Sequence, residues 1–137
     1  MYKLEGDIKL SEHFKISEFV CRDPNDPSAK VFIEMELIQK LEKLRSLLKM
    51  PLIVTSGYRT QKWNESVGGS PRSRHLLGQA ADIRMDGHYD TDRITVFAVN
   101  AGFKGIGLYD GFIHLDIRKN LSNRQGRSFD LWNFKKK

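Results

Sequence analysis

The chain has one cysteine in 137 residues, Cys21, so it has no internal disulfide and no cysteine-built metal cluster. Between Val20 and Arg22, and close to Phe19, Cys21 reads as a small packed side chain without a catalytic role. Long apolar runs are also missing. None approaches the roughly 20 residues that a membrane span needs, so no membrane insertion is expected. The stretch from Met1 to Asp7 has no continuous apolar core, and no secretory signal is expected from it. Repeats and low-complexity linkers are absent, and the length suits one domain over residues 1–137. Negative charge is in short supply: 17 Asp and Glu stand against 23 Lys and Arg, a net charge of +6. Such an excess favours a polyanionic partner, either nucleic acid or an anionic bacterial wall. Much of it gathers at the end, in Arg118, Lys119, Arg124, Arg127 and Lys135 to Lys137, where a solvated basic tail is an equally good reading.

The hydrophobic pattern predicts an α+β domain. Leu37, Leu41, Leu44 and Leu48 recur on one stripe and predict a helix from about Glu34 to Leu48, with Pro51 just beyond its stop. Leu52 to Ser56 is a β-branched run that predicts a buried strand, and Thr60 is placed to cap a short helix through Trp63, Asn64 and Val67. Gly68 to Ser73 reads as an exposed loop, Asp23 to Ser28 as another, and Gln79 to Arg84 as a second strand. Asp92 to Asn100 predicts a second long helix, capped by Asp90 or Thr91 and ended by Gly102, with Ile94, Phe97 and Ala98 inward. Gly105 to Leu108 and Phe112 to Ile117 form a hairpin through Asp110-Gly111. Leu10 to Val20 reads as a short helix or two turns, burying Phe14, Ile16 and Phe19. The expected architecture is a small mixed or antiparallel sheet with helices packed on one side.

Three residues carry candidate chemistry. Along Phe112 to Ile117 alternate side chains share a face, so His114 and Asp116 point one way while Ile113, Leu115 and Ile117 point into the core. The same alternation pairs Ala80 with Asp82, and Gly78 ends a turn that brings His75 round to Asp82. Two imidazoles and a carboxylate suit a metal that keeps one position open, on which a water loses a proton near neutral pH. Taken singly, each residue has an ordinary alternative: Asp82 can pair with Arg59 or Arg84, and His114 with Asp116 can be a solvated surface pair.

Ser73-x-His75-x-x-Gly78-x-Ala80-x-Asp82 followed by a histidine on a late strand resembles the zinc-dependent murein peptidases, with their hedgehog-like zinc peptidase fold. That family includes D-alanyl-D-alanine carboxypeptidases and dipeptidases and several phage endolysins. The resemblance extends to Ser56-Gly57-Tyr58-Arg59 with Asn64, to Leu10-Ser11-Glu12-His13-Phe14 and Glu18-Phe19-x-Cys21, and to Gly105-x-Gly107-x-Tyr109. It runs from Leu10 to Arg118 and leaves residues 119–137 as a basic, aromatic-containing tail, able to dock as a final strand or to contact another chain. The resemblance implies Zn2+ on His75, Asp82 and His114, with the metal site on the sheet face. It gives Arg59 to oxyanion stabilisation and substrate binding and puts Ser73 close to the bound peptide, with a loop-ordering hydrogen bond as an equal reading of Ser73. Apart from the resemblance, Tyr109 reads as a substrate-groove aromatic, as do Tyr58 and Trp63, with core packing as the ordinary alternative.

One position departs from the pattern. Many relatives place Asp or Glu three residues before the second histidine as general base, and here that position is Gly111. Asp110 is one residue earlier in a turn. Asp116 shares the face of His114 at about 7 Å along the strand and is the expected base, with an imidazole-orienting role as its alternative. The expected activity is hydrolysis of stem peptides of peptidoglycan by a D,D- or L,D-type carboxypeptidase or endopeptidase, as a monomer. Its expected setting is a phage or prophage lysin made in the cytoplasm and acting on the wall after lysis, or as a virion component. Two other classes compete: a zinc-stabilised wall-binding module with weak turnover, and a basic nucleic-acid-binding domain, for which no recognisable motif is present. His13 and His88 lie outside the motif and read as surface or packing residues.

Overall fold

The computed structural model describes residues 7–27, 30–86, 88–122 and 126–136. Ser28 of the first predicted loop, and Arg124 and Lys137 of the basic tail, lie outside the described residues, as do residues 1–6. Helix α1 spans Met35–Leu48 and α3 spans Thr91–Ala101, each within a residue or so of its predicted bounds. The leucine stripe does what its spacing requires. Leu37, Leu41 and Leu44 are fully buried, and each contributes roughly 1.5–3 kcal/mol by leaving water. Leu48 is only partly buried and packs at the edge of the core. The chain leaves α1 through Lys49 at φ 56°, whose N–H donates to the Arg45 carbonyl, two residues before Pro51. On α3 the Asp90 carboxylate accepts from the amides of Asp92 and Arg93, and Gly102 ends the helix at φ 102°.

Five strands form one mixed sheet. β1 (Val54–Ser56), β2 (Ala80–Arg84), β3 (Gly105–Tyr109), β4 (Phe112–Asp116) and β5 (Asp130–Asn133) lie in the order β1-β2-β4-β3-β5. All neighbours are antiparallel except β3 and β5, which run parallel. The segment set apart as a tail thus supplies the sheet's last strand.

The two faces of the sheet differ in chemistry. Ala81, Ile83, Ile106, Leu108, Ile113 and Leu115 join the helix side chains Leu37, Leu41, Leu44, Ile94 and Ala98 in one continuous core. The alternate positions, Ala80, Asp82, His114 and Asp116, face the other way. There the chain lays down the short helix α2 (Gln61–Ser66) and a 3-10 turn, Arg74–Leu77. A second 3-10 turn, Ile16–Phe19, packs Phe19 onto the start of the Ser56-Gly57 segment, with Phe14 also buried and Ile16 only partly so. Among the described residues no helix is long and apolar enough to cross a membrane.

Candidate metal centre

β2 and β4 are paired so that Asp82 lies opposite His114. This register places a carboxylate and an imidazole side by side on the polar face. His75 arrives from the 3-10 turn, which is capped by the Ser73 hydroxyl accepting from the His75 amide at 3.2 Å. Gly78 then closes the turn at φ 68°. A Cβ at this position would meet the Phe32 carbonyl oxygen at 2.1 Å, so only glycine fits. One donor atom each from His75, Asp82 and His114 lies within 4.8 Å of the other two.

Each imidazole is oriented from behind. The His75 Nδ1–H donates to the Gly57 carbonyl at 2.7 Å, which leaves Nε2 as a bare lone pair 3.2 Å from Asp82 Oδ1. The His114 Nε2–H donates to Asp116 Oδ2 at 2.7 Å and leaves Nδ1 3.1 Å from the same Asp82 oxygen. Two lone pairs and a carboxylate oxygen therefore converge on one point. Acceptors so arranged repel each other unless a proton or a cation lies among them, and N, N, O is the donor set of a catalytic zinc site. The residues present fit the metal that the motif implies.

Without a cation at this point, protons reconcile the acceptors. Burial alone would raise the Asp82 pKa, but hydrogen bonds and charge from His114 and His75, present when their facing nitrogens carry protons, outweigh it and hold the carboxyl well below the usual range. Burial opposes charge on His114, and the Asp116 and Asp82 carboxylates outweigh that to raise its pKa. The site is built around permanent anions that attract positive charge.

Around this point lies a cleft of about 540 Å³, rimmed by Arg59, Arg72, Arg74 and Arg118 and by the aromatic rings of Tyr109 and Trp132. Arg59 is held in place by three acceptors: Ser56 Oγ at 3.2 Å, Asn64 Oδ1 at 3.3 Å and Asp82 Oδ2 at 3.5 Å. The Asp82 ion pair expected as its ordinary alternative is thus present, and Arg59 also lines the cleft. Ser73 both caps the 3-10 turn and lines the cleft. Tyr109 stacks on Phe112 at 4.6 Å, and its hydroxyl accepts from Trp132 Nε1 at 2.8 Å.

Asp116, the expected general base, has a different environment from the one its spacing suggested. It is 0 % exposed and sits behind His114, on the side away from Asp82. Its oxygens accept from His114 Nε2 and from the Arg118 amide, Nε and Nη2. Burial would raise its pKa, but Arg118 and His114 more than offset that and keep it an anion. A general base must reach the proton that it removes, so this geometry fits the orienting alternative. Asp110 is exposed in the hairpin turn, and its carboxylate accepts from the Lys136 amide at 3.4 Å.

Several contributing residues had no role in the sequence reading. Asn64, 1 % exposed, accepts from Arg59 and donates to the Ser70 carbonyl at 2.9 Å, tying the arginine to the loop before His75. Gly57 lets Phe19 approach closely, since a Cβ there would meet the Phe19 Cα at 2.6 Å, while its carbonyl holds His75. The visible signal was the Ser-Gly-Tyr-Arg segment, which contains Gly57 and is followed by Asn64. Asp130 and Trp132 of β5 had no such signal.

The sequence pattern of the peptidase M15 family matches residues 12–116. The match spans most of the chain and contains His75, Asp82 and His114, and the chain belongs to the peptidase M15 family. This bears out the murein-peptidase resemblance carried by the motif. No curated protein matched the chain.

Proposed function

We propose that the chain is a zinc metallopeptidase that hydrolyses peptide bonds in the stem peptides of peptidoglycan, as a D,D- or L,D-type carboxypeptidase or endopeptidase. One observation carries the reading: three donor atoms of the right chemistry within 4.8 Å of one another, at the floor of an open cleft, in a chain of the peptidase M15 family. Zinc held by His75, Asp82 and His114 supplies Lewis acidity to the scissile carbonyl and to a water. Arg59, fixed by Ser56 and Asn64, directs its guanidinium at the carbonyl oxygen as negative charge builds there. Ser73 and Tyr109, which both line the cleft, contact the bound peptide. Asp116 orients His114, and a base role would require one of its present hydrogen bonds to open. The net charge of +6 supports attraction to an anionic wall, and a monomeric lysin of phage or prophage origin is the setting we favour.

The test is direct. Zinc-loaded protein is incubated with peptidoglycan of several chemotypes, with and without a chelator, and new amino or carboxyl ends are followed by mass spectrometry. Chelator-sensitive cleavage is expected, and the absence of metal-dependent products from every wall type overturns the reading. A second reading, a zinc-stabilised wall-binding module with weak turnover, is favoured by Gly111 at the usual base position. Among the described residues lining the cleft, the carboxylate is that of Asp82 alone. Wall binding without cleavage in the same assay selects it.

A further inference from the structure

The match to the family ends at Asp116, yet the hydrogen-bond network that holds His114 continues past it. Arg118 grips Asp116 with a two-pronged contact, Nε to Oδ1 at 2.9 Å and Nη2 to Oδ2 at 2.7 Å. Its third nitrogen, Nη1, donates to Asp130 Oδ2 on β5 at 3.2 Å. Asp130 is itself buried and pinned by Ser122, whose amide donates at 2.9 Å and whose hydroxyl donates at 2.7 Å. Two residues on, the Trp132 ring lies under the Arg118 guanidinium at 4.9 Å and beside the His114 ring at 5.4 Å. Space for this arrangement is reserved in β3. A Cβ at Gly105 would meet the Asp116 carboxylate at 2.2 Å, and one at Gly107 would meet Trp132 Nε1 at 2.5 Å.

We propose that the C-terminal strand is a working part of the metal centre, with Asp130 as a positioning residue that acts on His114 through Arg118 and Asp116. The inference rests on the reading that His75, Asp82 and His114 hold a metal. The physical reason is the chain of dependence. Asp116 has no exposed surface, so water cannot replace a donor that it loses. Arg118 supplies three of its four hydrogen bonds and is itself held, away from Asp116, by Asp130 and the Trp132 ring. Releasing Arg118 frees Asp116 and, through it, the ring whose Nδ1 faces Asp82. Partners one shell behind a metal ligand typically alter affinity by about 10–100-fold.

The experiment uses the full chain. Zinc affinity is measured by competition with a chromophoric chelator, and the visible absorption of the cobalt-loaded protein reports ligand geometry. Asp130→Asn is expected to weaken zinc binding on the order of tenfold, to shift the cobalt bands and to lower kcat with little change in KM. Asp130→Glu should recover part of each effect. Leu131→Ala, which loosens the packing of β5 without touching the network, should lower Tm but leave the cobalt bands as in the wild type. If Asp130→Asn does not fold, Arg118→Lys keeps the charge, loses the fork and is expected to show the same loss of affinity. A folded Asp130→Asn or Arg118→Lys variant with wild-type affinity and cobalt bands overturns this inference alone. A wild-type chain that takes up no metal overturns the metallopeptidase reading and this inference with it.

Discussion

Asp116 accepts three hydrogen bonds from Arg118 and one from His114, and this geometry sets the expected effect of replacing it. In Asp116→Asn one acceptor oxygen becomes a donor facing other donors, so the imidazole loses its anchor. Zinc affinity is expected to fall by about 10–100-fold, with a matching loss of activity at limiting zinc that excess zinc partly restores. A base role predicts the opposite split, wild-type affinity with kcat abolished at any zinc concentration. Competition titration with steady-state kinetics separates the two. Arg59 is argued the same way. Its fork reaches Ser56, Asn64 and Asp82 at once, and a lysine ammonium cannot hold that geometry. Arg59→Lys is expected to lower kcat by about 10²–10³-fold while the protein stays folded, as measured on a defined stem peptide beside a thermal melt.

Among the elements, those legible in the sequence are the ones whose signal is local. Leu37, Leu41 and Leu44 gave α1 by spacing, Asp90 and Gly102 gave both ends of α3, and Asp110-Gly111 gave the β3–β4 hairpin. The alternation in β4 also separated His114 and Asp116 from Ile113 and Leu115, so the three converging residues could be named from the sequence. β5 was open to two readings because its pairing is not local. Asp130 to Asn133 meets β3 in parallel across more than twenty intervening residues, and no turn or periodicity in the tail states that partner. The burial of Asp116 was hidden for a related reason, since spacing gives the face of a side chain and not what covers it. The Gly105 and Gly107 pair now has a steric meaning. Gly107→Ala is expected to push Trp132 off the sheet face and destabilise the protein by about 1–3 kcal/mol, read as a lower Tm and altered tryptophan fluorescence.

The docking of β5 also has a pH signature. Burial raises the Asp130 pKa, but Ser122 and Arg118 outweigh it and leave the folded value below the ordinary 3.8. A depressed carboxylate stabilises the fold fully above its unfolded pKa and loses that contribution as pH falls through the folded value. Stability should therefore drop as the pH falls below about 4, and less steeply in Asp130→Asn than in the wild type. Denaturant titrations at a series of acidic pH values measure the two slopes.

For the molecule as a whole, the sheet divides the labour between its faces. One face is closed by α1 and α3 into an apolar core, and the other carries the buried carboxylates Asp82, at the floor of an open cleft, and Asp116, behind His114. Asp82 and Asp116 are held as anions in a chain with a net charge of +6, and once the facing ring nitrogens of His75 and His114 carry no proton, only acceptors meet at Asp82. A divalent cation relieves those contacts in the folded state and finds no comparable site in the unfolded chain. Zinc at a hundred times its dissociation constant is then worth about 2.7 kcal/mol of stability, on the order of 10 °C in Tm for a domain of this size. Thermal melts of the wild type with and without zinc should show that shift, and a chelator should reverse it. His114→Ala should abolish the shift while the core helices still melt cooperatively, because the residue leaves from the polar face. A zinc-independent Tm in the wild type would mean that the acceptors are reconciled by a proton instead, and that the cleft is not a metal centre.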